Sequence, residues 1–263
     1  MVYEARLMHV TKMHGARNDF IVVDLRKVPQ LDLAVFAVWA CDRRAGIGAD
    51  GVIALESSGI ADVRMRTINA DGSEAEMCGN GVRCAARWLD EAGEGDRIAF
   101  DTEAGIVRTE IVERGAEYSV RVAMGEPVIG AIALSVSGAT FVDVGNPHVV
   151  LFRADVGAVD LERTAEELQS EPALTYGANV HVVESGRHNS LRVRHWERGV
   201  GLTQACGTGA VASAAAAIER SMTASPVEVF VPGGRLVVEW NGEGEAYLIG
   251  PAVRVFDTEV DPP

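Results

Sequence analysis

Short runs in which apolar and polar residues alternate recur along the chain, separated by Gly, Asp or Pro. This pattern predicts half-buried strands. In the first half FIVVD (20–24), ADVRMRTI (61–68), VRTEIVE (107–113) and YSVRVAM (118–124) read this way. In the second half HVVLF (148–152), NVHVVES (179–185), SLRVRHW (190–196) and RLVVEW (235–240) do so. Four segments have helical character instead: 33–44, 82–93, 161–170 and 209–221. The run AVASAAAAI inside the last is apolar on every side, as a helix enclosed by other elements is. Many strands with one long central helix per half predict an α/β fold of the α+β kind, each half a curled β-sheet or barrel around its helix.

The chain also repeats itself. EMCGNGVRCAARWL (76–89) and QACGTGAVASAAAAI (204–218) both read Cys-Gly-x-Gly followed by a helix-like stretch, and Cys78 and Cys206 stand 128 residues apart. Asn18, opening NDFIVVD, and Asn146, opening NPHVVLF, share that offset, as do Gly105 and Gly233 at the start of two β-rich runs. Self-similarity at one offset predicts duplication: two pseudo-symmetric domains, 1–127 carrying Cys78 and 128–263 carrying Cys206, with GEPVIG (125–130) as the hinge.

A cysteine just before a helix meets unpaired N–H groups and the positive end of the helix dipole. Such a position can lower a thiol pKa, and its amides can hold a carboxylate. The glycines allow a ligand to approach the backbone. Two such turns, one per half, suit an active site in the cleft between the halves, with two thiols on opposite faces of one α-carbon. One thiolate would remove the α-proton and the opposite thiol would return a proton, the scheme of a stereoinversion. Amide donors aimed at the carboxylate would stabilise the carbanion-like transition state.

Composition narrows the field further. The chain has 24 basic and 38 acidic residues, a formal charge of −14, which argues against nucleic acid or an anionic membrane as partner. Its longest apolar run, AVFAVWAC (34–41), falls well short of the roughly 18 residues of a membrane span. No secretory leader is evident at the N-terminus, so a cytoplasmic location is expected. The four cysteines form no CxxC or Cys/His cluster at zinc spacing, so no metal is expected. No lysine motif for a pyridoxal cofactor is apparent, and no cofactor is expected.

At these residues the sequence resembles the diaminopimelate epimerase family, nearly end to end. The matching segments are KMHGARNDF (12–20), GIGADG (46–51), NADGSEAEMCGNGVRC (69–84), GNPHVV (145–150), GANVHVV (177–183) and WERGVGLTQACGTGA (196–210). The resemblance implies interconversion of LL- and meso-diaminopimelate without cofactor or metal, on the lysine and peptidoglycan route. It implies two pseudo-symmetric halves, a small amino-acid substrate, and leaves room for a homodimer. By position it makes Cys78 and Cys206 the base and acid pair. Gly79, Asn80, Gly207 and Thr208 become the amide cradle. Asn18, Asn69, Asn146, Asn179 and Arg198 would bind the substrate's polar groups, Glu197 would lie near the reacting amino group, and His148 would support catalysis. A substrate with two amino-acid ends suits carboxamides, which donate and accept, and Arg198, which can grip a far carboxylate bidentately. Three positions depart from the family pattern: Arg17 replaces a glycine, Leu202 a glutamate, and His195 an apolar residue.

The alternative is a racemase of another amino acid in the same superfamily, of histidine or proline/hydroxyproline type. Proline-type enzymes carry Cys-Gly-His-Gly where this chain has Cys78-Gly79-Asn80-Gly81, and phenazine-type isomerases lack the cysteine pair. A duplicated binding module that captures amino acids would not need the thiols. Cys41 and Cys84 read as core packing. His14 reads as a local structural donor, and neither His181 nor His195, in strands, is expected to act.

Overall fold

The computed structural model describes residues 7–27, 31–75, 77–130, 132, 134 and 136–263. The chain divides into two compact units, Met1–Val122 with Pro251–Pro263, and Ala123–Gly250.

The first unit opens with the hairpin β1 (Met8–Gly15) and β2 (Asn18–Asp24), followed by α1 (Leu33–Ala40). Strands β3 (Gly51–Glu56), β4 (Val63–Asn69) and the short β5 (Glu74–Ala75) lead to the long helix α2 (Gly79–Glu91). Strands β6 (Arg97–Thr102), β7 (Gly105–Glu113) and β8 (Ser119–Ala123) complete the run. In the second unit the order is β9 (Val128–Gly130), β10 (Ala139–Asp143), β11 (Pro147–Phe152), α3 (Leu161–Gln169), β12 (Asn179–Ser185), β13 (Ser190–Glu197) and β14 (Gly201–Thr203). Then come α4 (Gly207–Glu219), β15 (Val227–Val231), β16 (Gly234–Glu239) and β17 (Tyr247–Pro251). The last strand, β18 (Val253–Val260), belongs to the first unit, because it pairs antiparallel with β1 from Met8↔Val260 to His14↔Val253.

The offset of 128 holds at the level of whole elements. α2 and α4 have the same length and start 128 apart, as do β8 and β17, and β3 and β12 also start 128 apart. Helices α1 and α3 begin at Leu33 and Leu161, capped by Asp32 and Asp160, again at the same offset. Each cap carboxylate accepts backbone N–H groups of the first turn, which otherwise lack partners. Sheet order is the same in both units. β18-β1-β2-β3-β4-β6-β7-β8 matches β9-β10-β11-β12-β13-β15-β16-β17, with β2–β3 and β4–β6 parallel as β11–β12 and β13–β15 are.

Each sheet curls around its central helix. α2 packs on β1 and β2 as well as on β7, and α4 on β10 and β11 as well as on β16. α4 is buried from Ala210 to Ala217, and its small side chains let strands approach from several sides. α1 and α3 cover the outside of their sheets, each through an apolar stripe: Leu33, Phe36, Ala37 and Ala40 in one, Leu161, Ala165 and Leu168 in the other. Burying each large side chain of these stripes contributes about 1.5–3 kcal/mol.

The predicted strands and helices are all present. The helix expected over 33–44 stops at Ala40, because the Asp42 carboxylate accepts the N–H groups of Arg44 and Ala45 and closes a turn instead. Among the described residues, no helix is long and apolar enough to cross a membrane.

Candidate active site

Cys78 is the N-cap of α2 and has extended backbone (φ −132°, ψ 108°). Its Sγ lies 3.6 Å from Asn18 Oδ1 and donates to it. Asn18 opens β2, directly after the hairpin turn, and its Nδ2 donates to Asp50 Oδ2 at 2.8 Å. That bond turns the amide oxygen toward Cys78 and toward Asn80 Nδ2, 3.1 Å away. Asn80 Oδ1 in turn accepts Arg83 Nη2 at 2.7 Å. Asn18, Cys78, Gly79 and Asn80 therefore form one connected group. Asn69 ends β4, outside that group, where its side chain donates to Ser73 Oγ at 2.9 Å. Of the adjoining motif, Glu76 lies outside the described residues.

Two members of this neighbourhood escaped the reading of the sequence. Asp50 holds Asn18, and its signal was its place in GIGADG. Arg83 is fully buried, and its guanidinium donates to Asn80 Oδ1, Gly79 O and Pro251 O. A positive charge enclosed one turn after the cysteine lies within electrostatic reach of Cys78. Its signal was an arginine on a helix face otherwise occupied by Val, Cys and Ala.

Cys206 is the N-cap of α4, with similar backbone (φ −119°, ψ 116°). Its Sγ accepts the Gly209 N–H at 3.3 Å and lies 3.5 Å from Thr208 Oγ1. Gly207 is the first residue of the helix. Glu197 ends β13 and accepts the Thr203 hydroxyl at 2.5 Å, and its carboxyl lies within electrostatic reach of Cys206. Burial pushes the Cys206 thiol well up, and the Glu197 charge adds to this; the Gly209 N–H acts the other way and is outweighed. The lowered thiol pKa expected at a helix start is thus reversed here. Burial likewise raises the Glu197 carboxyl.

The remaining residues sit at the same ends of neighbouring strands. His148 of β11 is paired with Asn179 of β12, and Asn179 Oδ1 accepts the Arg198 backbone N–H at 3.0 Å. The exposed Arg198 side chain donates to Tyr176 O. Asn146 Oδ1 lies 2.7 Å from His148 Nε2. His181 and His195, which the reading of the sequence did not count among the acting residues, are joined to His148: His181 Nε2 is 2.8 Å from His148 Nδ1, and His195 Nδ1 is 2.9 Å from His181 Nδ1. Cys41 and Cys84 are buried, with thiols pushed up by burial to about 11 and about 12. His14 Nδ1 accepts the Arg17 N–H, a local structural contact. Among the described residues, no group of His, Cys, Asp and Glu is arranged to hold a metal ion.

The family model for diaminopimelate epimerase matches residues 10–130 and 140–255. The chain belongs to the diaminopimelate epimerase family. The diaminopimelate epimerase of Sphingopyxis alaskensis is 42% identical over 95% of this chain and 96% of its own length. That of Pelotomaculum thermopropionicum is 41% identical over 96% of this chain and 98% of its own length. Among solved structures, a phenazine biosynthesis protein of the PhzF family from Bacillus anthracis superposes with a TM-score of 0.78 at 19% identity. It covers 97% of this chain and 99% of its own, a likeness of fold. Membership of the epimerase family makes the chain an isomerase, and both Cys-Gly-x-Gly turns lie inside the matched segments.

Proposed function

We propose that this epimerase interconverts LL- and meso-diaminopimelate by a two-thiol mechanism, without pyridoxal phosphate, in the cytoplasm and on the route to lysine and peptidoglycan precursors. One observation carries the reading. Each of two duplicated units sets a cysteine at the N-cap of its central helix, at the same offset and with the same backbone, in a chain of the diaminopimelate epimerase family.

In this scheme Cys78 and Cys206 act on one α-carbon from opposite faces. Amides at the two helix starts, from Gly79 and Asn80 and from Gly207 and Thr208, receive the α-carboxylate and stabilise the charge that develops as the proton leaves. Glu197 takes a place beside the reacting amino group. Asn18, Asn69, Asn146, Asn179 and Arg198 bind the polar groups of the substrate, Arg198 as a planar fork suited to the distal carboxylate.

The two thiols differ in their surroundings, which supports distinct first roles. The position matching Glu197 in the first unit is the neutral Asn69, and the position matching the buried Arg83 in the second is Val211. A carboxylate therefore accompanies Cys206 and a guanidinium accompanies Cys78. Cys206 keeps its proton and serves as the donor, while Cys78 takes the α-proton; the reverse reaction swaps the two states.

The test is incubation of the purified protein with LL-diaminopimelate in deuterium oxide. The expected result is meso-diaminopimelate carrying deuterium at the inverted carbon. Absence of both exchange and meso product, with turnover of another amino acid, would overturn the assignment of substrate.

A further inference from the structure

Three histidines stand in one buried row of the second unit. His148, His181 and His195 lie on the adjacent strands β11, β12 and β13, with His181 directly opposite His195. Their side chains are 0%, 0% and 1% exposed. The first unit has Phe20, Ile53 and Thr67 at the matching positions, 128 residues earlier. The fold thus fills this layer without histidine, and packing alone does not call for three imidazoles.

The contacts between them have a single direction. A neutral imidazole has one N–H and one bare nitrogen. Asn146 Oδ1 can only accept, so His148 Nε2 carries the proton and His148 Nδ1 is bare. His181 must then donate through Nε2, leaving its Nδ1 to accept from His195 Nδ1–H. The row ends at His195 Nε2, a bare nitrogen that has no partner among the described residues. If the Asn146 amide turned over, every donor would reverse and the row would end on a buried N–H without an acceptor. Orphaned buried N–H groups are rarer than under-satisfied acceptors, so the far end of the row selects one orientation of the near end.

We propose that His181 and His195 act through His148 as positioning residues, forming a relay that locks the Asn146 carboxamide with its oxygen inward and its N–H₂ presented to a substrate oxygen. The proposal rests on the reading of Asn146 as a substrate-binding residue. Burial keeps the row neutral: His148 and His195 are lowered to about 3, and His181 falls well below its ordinary range. Neutrality is essential, because a protonated His181 would donate on both sides and could not accept from His195. α4 makes room for the middle ring through Gly209, where a Cβ would come within 2.4 Å of His181 Cε1.

The test combines spectroscopy with kinetics. In ¹⁵N-histidine-labelled protein without substrate, His148 and His181 should be Nε2–H tautomers and His195 the Nδ1–H tautomer. His195→Ala removes the ring and leaves room for water beside His181 Nδ1; a water donates or accepts equally well, so nothing then selects the direction of the row. This variant should raise KM for LL-diaminopimelate roughly tenfold with kcat within about twofold, since a binding contact is lost in ground and transition state alike. An Nδ1–H tautomer at His148 of the parent protein, or an unchanged KM in His195→Ala, would overturn the relay. If the parent protein turns over no diaminopimelate, the substrate assignment fails, and the His148 tautomer alone then decides the relay. A His195→Ala protein that does not fold leaves that tautomer to decide it.

Discussion

Arg17 takes the second place of the two-residue turn between β1 and β2, with φ +67°, after Ala16 at φ +51°. Two consecutive left-handed residues make the turn that matches strand twist, and glycine is the residue that adopts it without strain. The departure from the family's glycine is therefore a cost in backbone energy rather than a change of chemistry. Arg17→Gly is expected to stabilise the protein by about 0.5–1 kcal/mol, the relief of left-handed strain minus the extra chain entropy of glycine. A thermal midpoint raised by roughly 1–4 °C would show it; an unchanged or lowered midpoint would contradict the strain. The buried histidines answer to pH. Unfolded histidine titrates near 6.5, while His148 and His195 in the folded protein lie at about 3. Between these values the unfolded chain binds more protons, so stability is fully present above pH 6.5 and falls as the pH drops toward 3. The slope is up to about 1.4 kcal/mol per pH unit for each group. Thermal midpoints measured from pH 7 to pH 4 should fall steadily, and the fall should be shallower in His195→Leu.

At the scale of elements, the starts of α2 and α4 are the same device built into different surroundings. A Cβ on Gly81 would meet Ile53 Cδ1 at 3.2 Å, whereas one on Gly209 would meet the His181 ring at 2.4 Å. Ile53 and His181 are matching positions on β3 and β12, so the contact is conserved through the duplication while its tolerance is not. A methyl group next to the end of a flexible isoleucine displaces it slightly; one inside a hydrogen-bonded imidazole must break the row or shift the helix. Gly81→Ala is expected to cost under about 1 kcal/mol, and Gly209→Ala about 1–3 kcal/mol, the range of overpacking. Denaturant midpoints of the two variants check this, and equal losses would mean that the histidine row yields freely. The helices were legible in the sequence because their apolar faces and capping residues are local signals. β18 was not, because its partner β1 lies at the opposite end of the chain. Nor was the row of histidines, since strand residues meet across a sheet only once the register is set.

For the molecule as a whole, the proposed two-thiol scheme gives duplication with divergence a stereochemical consequence. A fold doubled at an offset of 128 supplies two similar thiols, and inversion of one carbon needs a proton taken from one face and another given to the opposite face. Cys78→Ser and Cys206→Ser should each abolish epimerisation, since serine is too weak an acid and forms no comparable base at neutral pH. Each variant should still eliminate a leaving group from a β-halogenated diaminopimelate, a reaction that needs one proton removed. The two should accept opposite isomers at the reacting carbon. Assays of both variants against both isomers decide the matter: substantial epimerisation by either one would refute the two-thiol scheme.

Eight of the strands, the four helices, the repeat and the two cysteine turns were determined by the sequence alone, because each is written in residues close together or in one recurring offset. Membership of the epimerase family was legible for the same reason, in long contiguous motifs. Tertiary structure alone decided what surrounds each thiol. Burial beside Glu197 raises Cys206 where the helix start by itself would lower it, and the enclosed Arg83 stands near Cys78. It also decided that His181 and His195, two strand residues without a local signature, join His148 and reach Asn146. Desolvation, charge proximity and hydrogen-bond direction depend on neighbours brought from distant parts of the chain, and no local pattern of residues specifies them.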